Sequence, residues 1–281
     1  MPFVPMKDLL DDAAARGYAV PGFCVWAAEV MAAVLRVAQD LRAPVILMNG
    51  PAEFPLMGPT EMGAVAHGLV RLFDATAALH LDHGDSLEQV QACLRAGYTS
   101  VMLDYSTRPL EENVAALRQT VELAHPLGVT VEGELGVVGK VDTSVVEGGS
   151  AASLTDPDQA ADFVARTGVD ALAVAIGNAH GAYTRLPRLD FDRLARLRER
   201  VPVPLVLHGG SGTPEEDLRR AISLGIAKVN VATEVVAAMR EGLAEEYAGN
   251  DKAWMPLALA SGVKRVAAVV EKWINFTGAA G

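Results

Sequence analysis

The chain has 281 residues, 51% of them hydrophobic and 5% aromatic, with a formal net charge of −11. That length and apolar share suit one large α/β domain with a full core. The negative charge argues against nucleic acid or an acidic membrane surface as the main partner. Two cysteines, Cys24 and Cys93, form neither a disulfide framework nor zinc-finger spacing, so a reducing cytoplasm is expected. The opening MPFVPMKDLLDDAAARG lacks a basic region followed by an apolar run, so no signal peptide is expected. No apolar run approaches the roughly 20 residues that span a membrane.

Eight β-type runs follow one another along the chain: YAVPGF (18–23), APVILMN (43–49), ALHLD (78–82), SVMLD (100–104), VTVEGEL (129–135), ALAVAIG (171–177), PLVLHG (204–209) and AKVNVA (227–232). A segment of helical period follows each. Runs this apolar, with helices between them, imply a parallel sheet covered on its faces. Eight strand–helix repeats predict a closed (β/α)8 TIM barrel of the α/β class, with an open doubly wound sheet as the alternative. Helix starts are signalled at SLEQ (86–89), DPDQ (156–159) and TPEE (213–216), where Ser86, Asp156 and Thr213 are read as caps and Glu216 as part of a cap. The reading is one domain over 1–281, with 249–281 a C-terminal helical extension. The connection 136–155, GVVGKVDTSVVEGGSAASLT, leaves the C-terminal end of the fifth run without periodicity. Loops this long in a compact domain are usually functional, and this one is read as an active-site loop.

Six histidines are present. His67 and His125 fall in helical patterns and are read as packing residues. His83 follows the third run, His180 the sixth, and His208 ends the seventh. In a barrel those points converge on one rim, and three neutral imidazoles with an open fourth position make a catalytic zinc site. Asp82, Asp104, Glu132 and Glu134 belong to the same rim. Carboxylates facing a barrel interior need cations or hydrogen bonds, and they can orient metal-bound histidines. His80 and Glu132 also fit a purely structural, hydrogen-bonded role. HGGSG (208–212) and NVATE (230–234) lie after strands seven and eight, the recurrent phosphate site of barrels, where backbone N–H groups at a helix start can hold an anion.

Together YAVPGF, LHLDH, SVMLD, VEGELG, AVAIGNAHGAY, LVLHGGSG and KVNVATE, in order and at these intervals, resemble the class II, metal-dependent ketose-bisphosphate aldolases, the fructose- and tagatose-bisphosphate aldolase family. The resemblance is strong over about residues 1–240 and weak in the tail. It implies reversible cleavage of a ketose 1-phosphate or ketose 1,6-bisphosphate to dihydroxyacetone phosphate and an aldehyde. It implies Zn2+ on His83, His180 and His208, with Asp104 and Glu134 in a secondary cation or supporting region. Asp82 becomes the acid/base on the C4 hydroxyl. Gly181, Gly209, Ser211, Asn230 and Thr233 match positions around the substrate phosphate and a monovalent cation, Na+ or K+. The loop acid that protonates the cleaved carbon aligns with Asp142, with Glu147 as substitute. A cytoplasmic homo-oligomer, dimer or tetramer, acting on a small sugar phosphate is expected.

The chain departs from the family's pattern in places. Cys24 stands where Asn is usual, and Gly50 where Ser or Thr is common. The C-terminal stretch NDKAWMPLALASG lacks the arginine that holds a distal phosphate, and Trp254 falls near that place, with Arg185 the nearest alternative cation. The aldehyde half of the substrate therefore looks altered. Two alternatives remain at this point: a Schiff-base aldolase through Lys228, and a non-catalytic sugar-phosphate-binding paralogue or accessory subunit.

Overall fold

The computed structural model describes residues 2–140, 154–181 and 187–281. Eight parallel strands close into a barrel. They are β1 (Val20–Cys24), β2 (Val45–Asn49), β3 (Ala77–Gly84), β4 (Ser100–Leu103), β5 (Thr130–Leu135), β6 (Ala171–Val174), β7 (Leu205–Leu207) and β8 (Ile226–Val231). β1 pairs with both β2 and β8, which leaves no sheet edge and rules out the doubly wound alternative. Every residue of β1, β2 and β4 is buried, because one face meets the barrel interior and the other the surrounding helices. That two-sided burial is the reason these runs read as almost unbroken apolar stretches.

Some boundaries differ from the sequence pattern. The first strand starts at Val20 rather than Tyr18, and the sixth stops at Val174. Beyond it, Ala179–His180 forms a separate two-residue parallel ladder with Gly139–Lys140, above the barrel. Ser86 and Asp156 cap their helices as expected, accepting from the N–H of Gln89 and of Asp158 and Gln159. Thr213 does not. The extended ψ of Pro214, 138°, delays the helix to Glu215–Ser223, and the Thr213 hydroxyl instead donates to the Gly209 carbonyl.

One end of the barrel is shut. The helix Met6–Arg16 lies across it with Met6, Leu10 and Ala13 buried, and the Lys7 N–H donates to Thr130 Oγ1. The other end, where the strands' C-termini emerge, carries the polar residues discussed below. The last helix, Met255–Thr277, packs along the helices Thr233–Gly249 and Ala28–Asp40. No helix among the described residues is long and apolar enough to cross a membrane. His67 and His125 stay outside the rim: His67 Nε2 meets the Gly97 carbonyl and His125 Nε2 meets Asp170.

Candidate active site

Strict strand alternation would send Asp82 and His83 to opposite faces of β3. The structure avoids this with one extra residue. β3 advances from Leu81 to Gly84 while β4 advances from Val101 to Leu103, a bulge in the ladder. His83 takes the left-handed conformation there, φ +49°, which costs a non-glycine residue energy and is found where a site over-determines it. The result turns both Asp82 and His83 toward the open rim.

Three imidazoles meet at that rim. The ring of His83 lies 4.6 Å from that of His208 and 4.9 Å from that of His180, centre to centre, with His180 and His208 5.6 Å apart. One nitrogen from each falls within 4.8 Å of the others. His83 Nε2 and His208 Nδ1 are 2.9 Å apart. Two nitrogens on a tetrahedral zinc sit about 3.3 Å apart, so this pair is already near the spacing of two ligands on one ion. Gly209 makes the convergence possible. Its φ is +68°, and a Cβ there would lie 2.0 Å from the Ala179 carbonyl, so the segments carrying His180 and His208 touch only because this position is glycine.

The outward nitrogens are held by carboxylates. His83 Nδ1–H donates to Asp104 at 2.8 Å, and His208 Nε2–H donates to Glu132 at 2.8 Å. The Glu132 bond fixes the His208 tautomer that leaves Nδ1 facing the shared centre, and the Asp104 bond turns the His83 ring so that Nε2 faces the same centre. Burial, reinforced by the neighbouring His83, keeps the His208 imidazole neutral by pushing its pKa well below the usual value. His83 behaves oppositely. Burial works downward, but the charge of Asp82, the Asp104 hydrogen bond and the charge of Glu134 outweigh it and lift His83 to about 10. Asp104 in turn is held well below the usual carboxylate range: burial works upward, but the His83 hydrogen bond and charge overcome it. This is a cleft rich in negative charge that asks for a cation.

Glu134 points the same way. It is buried, and burial together with the nearby charge of Asp104 lifts its carboxyl to about 8. Its Oε2 makes no hydrogen bond, although it lies 3.4 Å from His208 Nδ1. A buried oxygen without a donor is costly. His83, Asp104 and Glu134 form a second group whose donor atoms lie within 4.8 Å of each other. Imidazole nitrogens and carboxylate oxygens are the donors zinc prefers, so these residues fit a divalent metal and a second cation position.

Below the triad the barrel interior carries a closed polar layer. Lys228 Nζ donates to Glu132 at 2.6 Å and to His80 Nε2 at 3.2 Å, and His80 Nδ1–H donates to Ser100 Oγ at 2.8 Å. All four are fully buried. His80 is kept neutral, its pKa pushed well down by burial and by the Lys228 charge. His80 and Glu132 thus play the structural part open to them from the sequence, and Glu132 also orients His208. Lys228 is bound into this layer beneath the histidines.

Asp82 sits beside the triad. Asn230 Nδ2 donates to its Oδ1 at 3.0 Å, while Asn230 Oδ1 is buried and has no partner. The phosphate-type loops lie alongside. Three amides of HGGSG-T are spent inside the protein: Gly210 N–H on the Asn230 carbonyl, Gly212 N–H on Glu234, and Thr213 N–H on the Gly210 carbonyl. Among the described residues, the N–H groups of Ser211 and Thr233 make no hydrogen bond. The expected donor loop is therefore narrower than the glycines suggested. Gly181 turns at φ +106° directly after His180. Asp142, Glu147 and Arg185 lie outside the described residues.

A family model of class II fructose-bisphosphate aldolase matches residues 4–281. The chain belongs to the class II fructose-bisphosphate aldolase family. Among solved structures, it is similar to the YdjI aldolase of Escherichia coli K12, at 35% identity and a TM-score of 0.89, covering 99% of this chain and 98% of that one. It is also similar to a candidate fructose-1,6-bisphosphate aldolase of Coccidioides immitis, at 28% identity and a TM-score of 0.84, covering 98% and 96%. The fold is shared with fructose-bisphosphate aldolase of Campylobacter jejuni, at 22% identity and a TM-score of 0.85, covering 99% and 96%.

The unusual positions of this class II aldolase have a structural account. A Cβ on Gly50 would lie 2.1 Å from the Asp82 carbonyl oxygen, so the end of β2 rests directly on the main chain of Asp82. Glu53 ties this corner together. It accepts from the Gly50 N–H at 2.8 Å and from the Cys24 thiol at 3.4 Å. Burial, and then the charge of Glu53, pushes the Cys24 thiol's pKa well up, so the cysteine stays protonated and donates. The sequence reading missed Glu53 because nothing in an irregular turn marks it. Gly50→Ala is expected to displace Asp82 and lower kcat by roughly 10²-fold, the scale of a 1 Å misplacement, without loss of metal. Steady-state turnover and elemental analysis check it; unchanged kcat would show that the corner yields instead.

Proposed function

We propose that the chain is a zinc-dependent aldolase that cleaves a ketose 1-phosphate to dihydroxyacetone phosphate and an aldehyde, reversibly. The observation that carries this reading is the grouping of three imidazole nitrogens within 4.8 Å of one another, two of the rings oriented by carboxylates, with Asp82 beside them. His83, His180 and His208 would hold the metal, and Asp104 and Glu134 would support His83 and a second cation. Breaking a carbon–carbon bond next to a ketone leaves an electron pair that needs a sink; the metal, when bound, polarises that carbonyl and takes up the charge. Asp82 accepts the C4 hydroxyl proton as the bond breaks. Asn230 holds one oxygen of Asp82, which leaves the other for this task. The unoccupied N–H groups of Ser211 and Thr233, with the side chains of Ser211, Asn230 and Thr233 and the turns at Gly181 and Gly209, receive the phosphate and a monovalent cation, Na+ or K+. Asp142, or Glu147 in its place, returns a proton to the cleaved carbon. The working form is a homo-oligomer, dimer or tetramer.

The distal half of the substrate is read as not requiring a second phosphate. NDKAWMPLALASG offers no arginine, and Glu53 places a carboxylate at the β1–β2 corner of the rim. A charge-assisted arginine–phosphate contact is worth about 1.5–3 kcal/mol, so its loss removes roughly one to two decades of selectivity. The test compares kcat/KM for fructose 1-phosphate and fructose 1,6-bisphosphate. Similar values are expected. A preference for the bisphosphate above about a hundredfold, abolished by Arg185→Ala, would show a relocated phosphate clamp and overturn this part of the reading.

A further inference from the structure

Glu234 directly follows Thr233, at the start of the helix Thr233–Gly249, and it is tied to four groups at once. Its own N–H donates to Ser211 Oγ at 3.2 Å. One carboxylate oxygen accepts from the Gly212 N–H at 3.4 Å. The other accepts from the indole N–H of Trp273 and from Lys272 Nζ, each at 3.0 Å. Trp273 is 2% exposed, and its ring packs beneath Gly210, where a Cβ would come within 3.4 Å of it. The last helix therefore reaches back to the glycine-rich loop by two routes, an indole floor and a shared carboxylate.

We propose that Glu234, anchored by Trp273 and Lys272, is a positioning unit for the phosphate-receiving loop. Glu234 consumes the Gly212 N–H and orients the Ser211 hydroxyl, and this holds the loop with the Ser211 and Thr233 N–H groups free for an anion. The carboxylate touches no substrate; it acts through the loop. The two donors on its Oε2 also keep its charge directed at the last helix rather than at the anion. The C-terminal helical extension is thus part of the binding apparatus. The inference rests on the phosphate reading of this loop given above.

Glu234→Gln tests it, because the amide keeps the side chain's size but presents either an N–H to the indole and ammonium or an N–H to Gly212. KM for fructose 1-phosphate and the dissociation constant of dihydroxyacetone phosphate are expected to rise about tenfold together, with kcat and metal content retained, the pattern of lost uniform binding. Trp273→Phe keeps the floor and removes only one donor, so a smaller rise in the same two constants is expected; it also serves if the Gln variant folds poorly. Unchanged binding constants in both variants, alongside a lowered melting temperature, would show a purely structural tie and overturn the proposal. Ser211→Ala separates the two levels of the argument. Weaker dihydroxyacetone phosphate binding in Ser211→Ala with none in Glu234→Gln would sink the positioning role and leave the phosphate reading standing. Unchanged binding in both would sink the two together.

Discussion

Asp82→Ala is expected to keep its metal and its affinity for dihydroxyacetone phosphate while losing roughly 10²–10⁴-fold in kcat, the usual worth of a general acid/base. The bulge at His83 turns Asp82 to the rim next to the three histidines, yet its carboxylate is not among the atoms grouped closely enough to share a metal ion. Asn230 holds Oδ1, His80 Nε2 stands 3.9 Å from the same oxygen, and the side chain is 20% exposed. That is the placement of a group that meets substrate and exchanges a proton with it. A supporting role would instead show as a lower melting temperature with turnover intact. Kinetics, elemental analysis and ligand titration on one preparation distinguish the two, and near-normal turnover would remove Asp82 from the chemistry.

His208→Ala is expected to cost more than activity. It deletes one imidazole of the triad, and it also leaves Glu132 Oε1 buried without the donor it now has at 2.8 Å. Losing a supporting hydrogen bond typically weakens a metal site by about 10–100-fold, and losing the ligand itself should exceed that. Leaving a buried acceptor unsatisfied adds about 1–3 kcal/mol of destabilisation. His180→Ala supplies the companion variant, because His180 is only partly buried and its removal does not orphan Glu132. Both variants should lose metal, and His208→Ala should also lower the melting temperature of the metal-free protein. Full metal occupancy in either would break the three-histidine assignment.

Much of this was legible in the sequence because the barrel buries both faces of its strands. Two-sided burial writes itself as apolar runs, and any histidine or acid at the end of such a run stands out. His83, His180, His208, Asp82, Asp104 and Glu134 were all visible that way. The bulge was not. A left-handed histidine has no sequence mark, and strict alternation would have turned His83 away from Asp82. The Thr213 cap failed because Pro214 takes an extended conformation that delays the helix. The Cys24–Glu53 and Glu234–Trp273 ties were hidden for another reason: they join positions 29 and 39 residues apart, which only the folded chain brings together. Lys228 shares strand parity with Asn230, but its pairing with Glu132 depends on the registers of β5 and β8 around the barrel.

The most direct measurement follows dihydroxyacetone phosphate release from fructose 1-phosphate before and after chelation, with borohydride added in parallel. Turnover is expected to disappear with the metal, to return on adding Zn2+, and to leave no substrate covalently trapped. Turnover that survives complete metal removal, with substrate reduced onto Lys228, would contradict it.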